Sequence, residues 1–281
     1  SFSYWLICYF CFRKNNFREI ALKTLPFLVS AIIYLALRTK FAGTFGERAA
    51  SNVMDSPYLF ASFPDKYATI IFVAGKYLWM MFVPHPLSFD YSFNAIPLRS
   101  FSDARVIFSV LAFTGMIIFS IRQILKPRTA GIELQTILCF GILFYLVTFS
   151  IVSNFFFNIG APMGERFSYL PSVGFCIAIA ALLAFILKIK LMDPLPYKLK
   201  FLFPFIIIIP LASFGTYQRN KVWKDNFTLY KTDIKTVPGS ARAQLFFGIE
   251  LLNKYYKSKN KIELNQSIEA METACRINPD F

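Results

Sequence analysis

The sequence predicts an all-α protein: a polytopic bundle of membrane helices followed by a pair of amphipathic helices. Of its 281 residues, 56% are hydrophobic and 34 are Phe, and the mean hydropathy is +0.50. A soluble core could not bury this much apolar surface. Long apolar runs alternate with short basic gaps, and each run approaches the roughly 20 residues that cross a bilayer as a helix. These runs are 25–37, 106–121, 137–157, 169–187 and 201–214.

The distribution of basic residues predicts the topology. A formal charge of +14 in a soluble protein would suggest nucleic acid. Basic residues also collect in the cytoplasmic loops of membrane proteins, and this explanation makes a nucleic-acid partner unnecessary. Three gaps, 13–23, 122–133 and 188–200, carry the excess and are assigned to the cytoplasm. The outer side then holds 38–66, 85–105, 156–168 and everything after residue 216.

One apolar segment, 67–84, does not fit this alternation, because the loops on both sides of it are assigned to the outer face. Lys76 lies at its middle, where a lipid-exposed charge would cost roughly 2.5–3.5 kcal/mol on insertion scales. We therefore expect a re-entrant or interfacial helix, with Lys76 reaching the interface or a wet cavity. The alternative is an ordinary span, with a second crossing hidden in 48–63.

The chain divides into three predicted regions. Residues 1–216 form the transmembrane bundle of about five to seven helices, 217–240 form a connecting helix, and 241–281 form a helical hairpin. Small residues at Ala241, Gly248 and Ala274 would let two antiparallel helices approach closely, and Pro279 would end the second. This set resembles a truncated first tetratricopeptide repeat, with about seven extra residues between the helices, in 254–264. An arbitrary amphipathic hairpin is the alternative.

The ends and the cysteines limit what the chain can do. It starts at Ser1 within an apolar stretch and stops at Phe281 after one predicted repeat. We therefore expect it to be a piece of a longer protein, whose further repeats would bind a partner protein. The five Cys show no metal-ligand spacing and there is one His, so no metal site is expected. Nucleotide-binding loops and nucleophile motifs are also missing from the sequence.

The first polar cluster, 84–92, follows the 67–84 segment. His85 and Asp90 could serve as acid, base or substrate ligand, because both groups exchange protons or accept hydrogen bonds. The alternative is a turn, in which Pro84, Pro86 and Ser88 reverse the chain and Asp90 satisfies backbone donors.

The second polar cluster, 164–172, lies where a predicted span begins. A Glu165–Arg166 pair at a membrane entry needs partners, and the planar guanidinium of Arg166 suits a phosphate. Together with Tyr169, Arg166 could hold a lipid phosphate at the outer mouth of the bundle. The alternative is that Glu165 and Arg166 merely anchor the helix at the interface.

These two clusters resemble motifs of the transmembrane and tetratricopeptide-repeat (TMTC-like) family, which is related to polyprenyl-phosphate-dependent O-mannosyltransferases. Order and spacing agree from about residue 20 to residue 281. The most specific runs are Pro-Leu-Ser-x-Asp-Tyr-Ser at 86–92 and Glu-Arg-x-x-Tyr-Leu-Pro-Ser at 165–172. Further matching residues are Asp55-Ser56-Pro57, Tyr77-Leu78, Pro84, Ile96-Pro97-Leu98, Val173-Gly174-Phe175, Arg219 and Trp223.

The resemblance implies the C-terminal half of a C-type glycosyltransferase fold. Such enzymes transfer a sugar, here a mannose-like hexose, from a polyprenyl-phosphate-linked sugar donor to a protein at the outer membrane face. Glu165 and Arg166 would lie at the active-site mouth, with Arg166 on the carrier phosphate. The other substrate-binding candidates are Tyr169, Asp90, Tyr91 and His85. The acidic pair around the family's catalytic base would lie upstream of Ser1, so no base is assigned in this chain.

Two other functions and two locations stay open from the sequence. The chain could belong to a non-catalytic membrane scaffold whose repeats tether other proteins, or to a transporter of a lipid-linked sugar. Its partners would be membrane lipids, the polyprenyl-phosphate sugar and an acceptor or partner protein bound by the repeats. We favour a bacterial inner membrane with periplasmic repeats. The alternative is the endoplasmic reticulum membrane with lumenal repeats.

Overall fold

The computed structural model describes residues 17–42, 53–54, 56, 58–126, 133–156, 158–189 and 195–279. All regular structure in these residues is helical, which confirms the predicted all-α class. In chain order the helices are α1 (Phe17–Ala42), α2 (Phe63–Phe82), α3 (Ala104–Leu125), α4 (Leu134–Ser150), α5 (Tyr169–Ile186), α6 (Leu195–Val222), α7 (Asn226–Thr236), α8 (Ala241–Ser258) and α9 (Lys261–Ile277), with a 3₁₀ turn at Glu165–Ser168 before α5.

Three segments are long and apolar enough to cross a membrane: Thr24–Phe41, Ala104–Leu125 and Glu165–Ile186. Helix α4 is a shorter apolar helix. Large apolar side chains on these segments face outward, as Ile32 (65% exposed) and Phe108 (71% exposed) illustrate. Outward-facing apolar side chains on helices of this length are typical of membrane spans. The chain is therefore an integral membrane protein.

The chain forms two compact units. One contains Ser1–Glu47, Phe108–Phe157 and Arg166–Phe205, and the other contains Arg48–Ile107, Asn158–Glu165 and Ile206–Phe281. The first is called the span unit here and the second the loop-and-tail unit. One of the boundaries between the two units falls between Glu165 and Arg166.

In the span unit, α4 packs tightly on α5 through two glycines. A Cβ on Gly141 would lie 2.6 Å from the Ala178 backbone nitrogen, and a Cβ on Gly174 would lie 2.5 Å from that of Tyr145. Because neither glycine has a side chain, the two backbones touch directly, as small residues allow in membrane helices. This contact holds α5 closely against α4.

In the loop-and-tail unit, α2 begins with a capped first turn. The Ser62 hydroxyl accepts from the Asp65 amide and Pro64 occupies the first turn, which sets the helix start. The helix therefore spans Phe63–Phe82 instead of the predicted 67–84. Whether it crosses the membrane or is re-entrant stays a prediction. In 48–62, the described residues contain turns but no helix.

The segment predicted as one connecting helix, 217–240, contains two elements. Helix α6 ends at Val222, and α7 begins at Asn226 after a turn. Asp225 explains the break, because its carboxylate accepts from the Thr228 amide at 2.8 Å and caps a new helix.

Helices α8 and α9 form the predicted hairpin and pack through small residues. The Ser267 hydroxyl donates to the Gly248 carbonyl at 2.7 Å, and both residues are buried. Ala241 and Ala274 are fully buried, as expected. The expectation of extra residues between the helices is wrong, because they lengthen both helices and leave only Lys259 and Asn260 between them. The backbone of Lys259 adopts the left-handed helical conformation (φ 57°), and Asn260 caps α9. The tetratricopeptide assignment stays a prediction.

Candidate functional site

The loop that follows α2, residues 84–98, belongs to the loop-and-tail unit and contains buried polar residues. Ser88, Tyr91 and Ser92 are buried within it, at 3%, 3% and 5% exposure. A loop with buried polar residues needs internal hydrogen-bond partners, since water cannot supply them. Those partners come from residues far away in sequence.

Glu165 supplies the first set of partners. Its Oε1 accepts from the Ser88 amide at 2.8 Å and from the Tyr91 hydroxyl at 2.9 Å. The Ser88 amide also lies 3.1 Å from the Tyr91 hydroxyl oxygen. Burial and then the Glu165 carboxylate raise the pKa of Tyr91 above its usual range, so the phenol stays protonated and donates. Two sequence-predicted residues, Tyr91 and Glu165, are thus brought together.

Helix α2 positions Glu165 from the other side. The Tyr77 hydroxyl donates to the Gly164 carbonyl at 3.1 Å and accepts from the Gly164 amide at 2.7 Å. It therefore fixes the residue directly before Glu165. The Nζ of Lys76, one residue earlier on α2, lies 4.8 Å from the centre of the Tyr91 ring, a cation–π distance. Sequence reasoning found Lys76 as an unusual charge but did not connect it to Tyr91.

Asp90 faces the helical tail instead. Its Oδ2 accepts from the Ser92 amide (3.0 Å), the Ser92 hydroxyl (2.5 Å) and the Ser240 hydroxyl (2.8 Å). The guanidinium of Arg242 lies 3.6 Å from Oδ1. Of these donors, only the Ser92 amide is a backbone donor of the kind that the turn alternative expects, and a role of Asp90 towards a substrate stays a prediction. Asp90 holds the start of α8 against the loop.

Asp233 on α7 is a functional candidate that sequence reasoning missed. It is fully buried, accepts from the Phe89 amide at 2.6 Å, and binds both terminal nitrogens of Arg219 at 2.6 and 2.9 Å. Such two-pronged, charge-assisted pairs are among the strongest in proteins. The Phe89 ring packs beside Tyr230, with ring centres 4.9 Å apart. The only signal in the sequence was Arg219, which belongs to the family pattern.

The remaining candidates do not join this network. His85 is exposed. In the span unit, Arg166 is exposed with its guanidinium 5.0 Å above the Phe167 ring, and it has no ion pair among the described residues. Tyr169 is 83% exposed. Both side chains are open to a ligand.

The unused hydrogen-bonding capacity of Glu165 indicates which kind of ligand the site could bind. Its Oε1 is occupied, whereas Oε2 has no hydrogen-bond partner in the part of the chain that the structure describes. A fixed carboxylate with one open oxygen can accept a hydrogen bond from a hydroxyl. Within the same residues, no group of three or more His, Cys, Asp or Glu could hold a metal ion.

Apolar spans, a buried loop with a fixed carboxylate and a helical tail define a polytopic helical membrane protein. Residues 47–117, which include α2 and the 84–98 loop, match the family described as "Protein O-mannosyl-transferase TMTC, DUF1736". This match and the relatives below confirm the resemblance to TMTC-like proteins that the motifs indicate.

Three relatives illustrate the similarity. Protein O-mannosyl-transferase TMTC1 of Mus musculus is 24% identical over 83% of this chain and 25% of its own length. Protein O-mannosyl-transferase TMTC3 of Homo sapiens is 26% identical over 80% of this chain and 23% of its own length. Protein O-mannosyl-transferase TMTC4 of Homo sapiens is 29% identical over 78% of this chain and 29% of its own length. The chain thus spans about a quarter of the curated relatives it matches. No solved structure matches it significantly.

Proposed function

We propose that the protein containing this chain is a membrane glycosyltransferase. It transfers a mannose-like hexose from a polyprenyl-phosphate carrier to hydroxyl groups of proteins at the outer or lumenal membrane face. The relatives, named protein O-mannosyl-transferases, support the transfer of a sugar to protein. The carrier, the sugar and the recruitment of the acceptor by the tail are our proposals.

The observation that carries the proposal is the fixed carboxylate of Glu165. Three groups of the family-matched region, the Ser88 amide and the Tyr91 and Tyr77 hydroxyls, position Glu165 or the residue before it. Its open Oε2 would accept a hydrogen bond from a sugar hydroxyl. An enzyme of this kind gains rate from groups already held in place for the transition state.

The departing carrier phosphate needs positive charge, and Arg166 offers an exposed guanidinium. Its planar donors can bind two phosphate oxygens at once. Tyr169, which is exposed on the next turn, could add a hydroxyl donor. We assign no general base within the described residues. Asp90 is not proposed for that role, because its oxygens are occupied by Ser92, Ser240 and Arg242.

The location follows from the topology proposal. The tail and the 84–98 loop would lie on the outer side, in the periplasm or in the lumen of the endoplasmic reticulum. The relatives named here are animal proteins, which lends no support to the bacterial preference drawn from composition. We therefore propose the endoplasmic reticulum membrane with a lumenal tail.

A scaffold is the second candidate function, and one observation favours it. Helix α9 carries a shallow, open surface patch formed by Ile268, Met271, Glu272, Cys275 and Arg276. The patch is mostly apolar, and Ile268 is 47% exposed. Under the enzyme proposal such a surface would recruit the acceptor protein. Under the scaffold proposal it would be the whole function.

A transfer assay on the full-length protein separates these proposals. Membranes containing it are supplied with radiolabelled polyprenyl-phosphate mannose, and the label reaching protein is measured. Arg166→Ala should abolish transfer at normal expression, whereas the control Arg122→Ala, in a predicted cytoplasmic gap, should not. Equal transfer by both variants would refute the role of Arg166. No transfer by the wild-type protein with several lipid-linked sugars would favour the scaffold.

A further inference from the structure

Two carboxylates from different chain segments hold neighbouring amides of the 84–98 loop. Glu165 accepts from the Ser88 amide at 2.8 Å, and Asp233 accepts from the Phe89 amide at 2.6 Å. The two amides are consecutive in the chain, so the two carboxylates hold the same short stretch of backbone. This stretch of backbone therefore connects the helical tail to Glu165.

Asp233 can serve this purpose because its charge is fully compensated. It has no exposed surface, and an uncompensated buried carboxylate would be strongly destabilising. Arg219 compensates it with two short hydrogen bonds, and the Phe89 amide supplies a third. An Asn at position 233 would lose the charge and one of the two acceptor oxygens, and its NH2 group would face a donor nitrogen of Arg219 or the Phe89 amide.

A second set of contacts brings the same loop against the start of α8. The Asn94 amide donates to the Gly239 carbonyl at 3.0 Å, and the Ala241 amide donates to the Phe93 carbonyl at 3.0 Å. A Cβ on Gly239 would lie 2.9 Å from the Asn94 carbonyl oxygen, so the backbones touch. The loop is thus attached to the tail at two places, Asp233 and the 239–241 turn.

We infer that Asp233 is a positioning residue for the proposed transfer reaction. Through the Phe89 amide it fixes the loop that presents the Ser88 amide and the Tyr91 hydroxyl to Glu165. The helical tail thereby sets the geometry of Glu165, in addition to any protein that it binds. This inference rests on the proposed function for its catalytic consequence, but the structural coupling can be tested without it.

Amide hydrogen exchange with single-residue resolution tests the coupling directly in the full-length protein. Asp233→Asn, which keeps the size of the side chain, should speed exchange of the Phe89 amide at least about tenfold, as loss of a buried bond to a charged group implies. The Ser88 amide, bonded to Glu165, should also exchange faster. Asp225→Asn is the control, because Asp225 caps the same helix without contacting the loop. It should leave both amides unchanged.

Transfer activity tests the catalytic consequence. Asp233→Asn should lower kcat roughly tenfold, if losing one charged hydrogen bond costs the usual amount, while the apparent KM for the acceptor protein stays constant. A merely structural role would lower the amount of folded protein and leave kcat per folded molecule unchanged.

Two results would overturn the inference. One is an unchanged exchange rate of the Phe89 amide, and the other is faster exchange at Phe89 with an unchanged Ser88 amide and normal kcat. Accelerated exchange in a wild-type protein that transfers no sugar would refute the proposed function and keep the coupling. If Asp233→Asn does not fold, seen as lost protection throughout α8 and α9, Arg219→Lys provides the second variant. It keeps the charge but loses the paired donors, and the same exchange pattern is expected.

Discussion

Glu165 and Asp233 lie 68 positions apart in the chain, yet they accept hydrogen bonds from consecutive amides of one loop, those of Ser88 and Phe89. Each carboxylate also binds a side-chain donor, the Tyr91 hydroxyl and the Arg219 guanidinium respectively. The loop is therefore held from two directions by charged acceptors. This arrangement explains why a polar segment can be buried, and it underlies the first prediction.

Removing the Tyr91 hydroxyl should destabilise the loop-and-tail unit. Tyr91→Phe deletes the bond to Glu165 and the contact with the Ser88 amide, but keeps the ring beside Lys76. A lost hydrogen bond to a charged group costs about 1.5–3 kcal/mol. We expect a lower unfolding temperature for the purified protein in detergent. Tyr230→Phe is the control, because its hydroxyl has no hydrogen bond within the described residues. Equal stability of both variants would contradict the network.

Adding a methyl group at the contact between α4 and α5 should disrupt the span unit. Gly141→Ala or Gly174→Ala would place a Cβ within 2.6 or 2.5 Å of backbone nitrogen atoms. Overpacking of this kind costs roughly 1–3 kcal/mol, and more where backbone must move.

Gly115→Ala is the matched control for both glycine variants. It is also a helical glycine, but a Cβ there meets nothing within 4 Å. Alanine is favoured over glycine in helices by about 0.5–1 kcal/mol, so this variant should be neutral or stabilising. Thermal unfolding in lipid nanodiscs measures all three variants. Similar losses for all three would mean that the contact is not as close as described.

The start of α7 should depend on pH through Asp225. The Thr228 amide lowers the pKa of this carboxyl below its usual value. A lowered pKa in the folded state means that the charged form contributes stability above the unfolded pKa, near 3.9. That contribution is lost as the pH falls through the folded pKa. Asp225→Asn, which still caps the helix, should remove this dependence.

Hydrogen exchange of the α7 amides between about pH 2 and 5, a window that extends below the usual Asp pKa, is the measurement, after correction for intrinsic rates. The wild-type protein should lose protection in the first turn at low pH, whereas Asp225→Asn should not. Parallel loss in both proteins would assign the effect to another group.

The predicted outer location of the tail can be tested by glycan attachment. Asn226-Phe-Thr228 and Asn265-Gln-Ser267 are acceptor sequences, and Asn265 is exposed on α9. In mammalian cells a lumenal tail should carry glycans that a glycosidase removes, with a mobility shift on gels. The variant with both Asn226→Gln and Asn265→Gln should run at the deglycosylated position. A cytosolic tail would show no shift in either protein.

The sequence predicted the fold class and part of the site, because both depend on local signals. Apolar runs and basic gaps identify membrane helices wherever they occur, and the motif around Glu165 and Tyr91 marked two residues that do meet. Asp233 was missed, because it is a single carboxylate in an ordinary amphipathic helix, 144 positions from its amide partner Phe89. The helix lengths at 254–264 were also misjudged, since Asn260 can cap a new helix after a two-residue break.

The glycine contact between α4 and α5 also restricts the path of a long hydrocarbon chain. Where two helix backbones touch at Gly141 and Gly174, no acyl or isoprenoid chain can slip between them. At the depth of these two glycines, a hydrocarbon chain therefore cannot enter laterally from the bilayer between α4 and α5. A lipid carrier that reaches Arg166, at the start of α5, must approach along a different face of the helix.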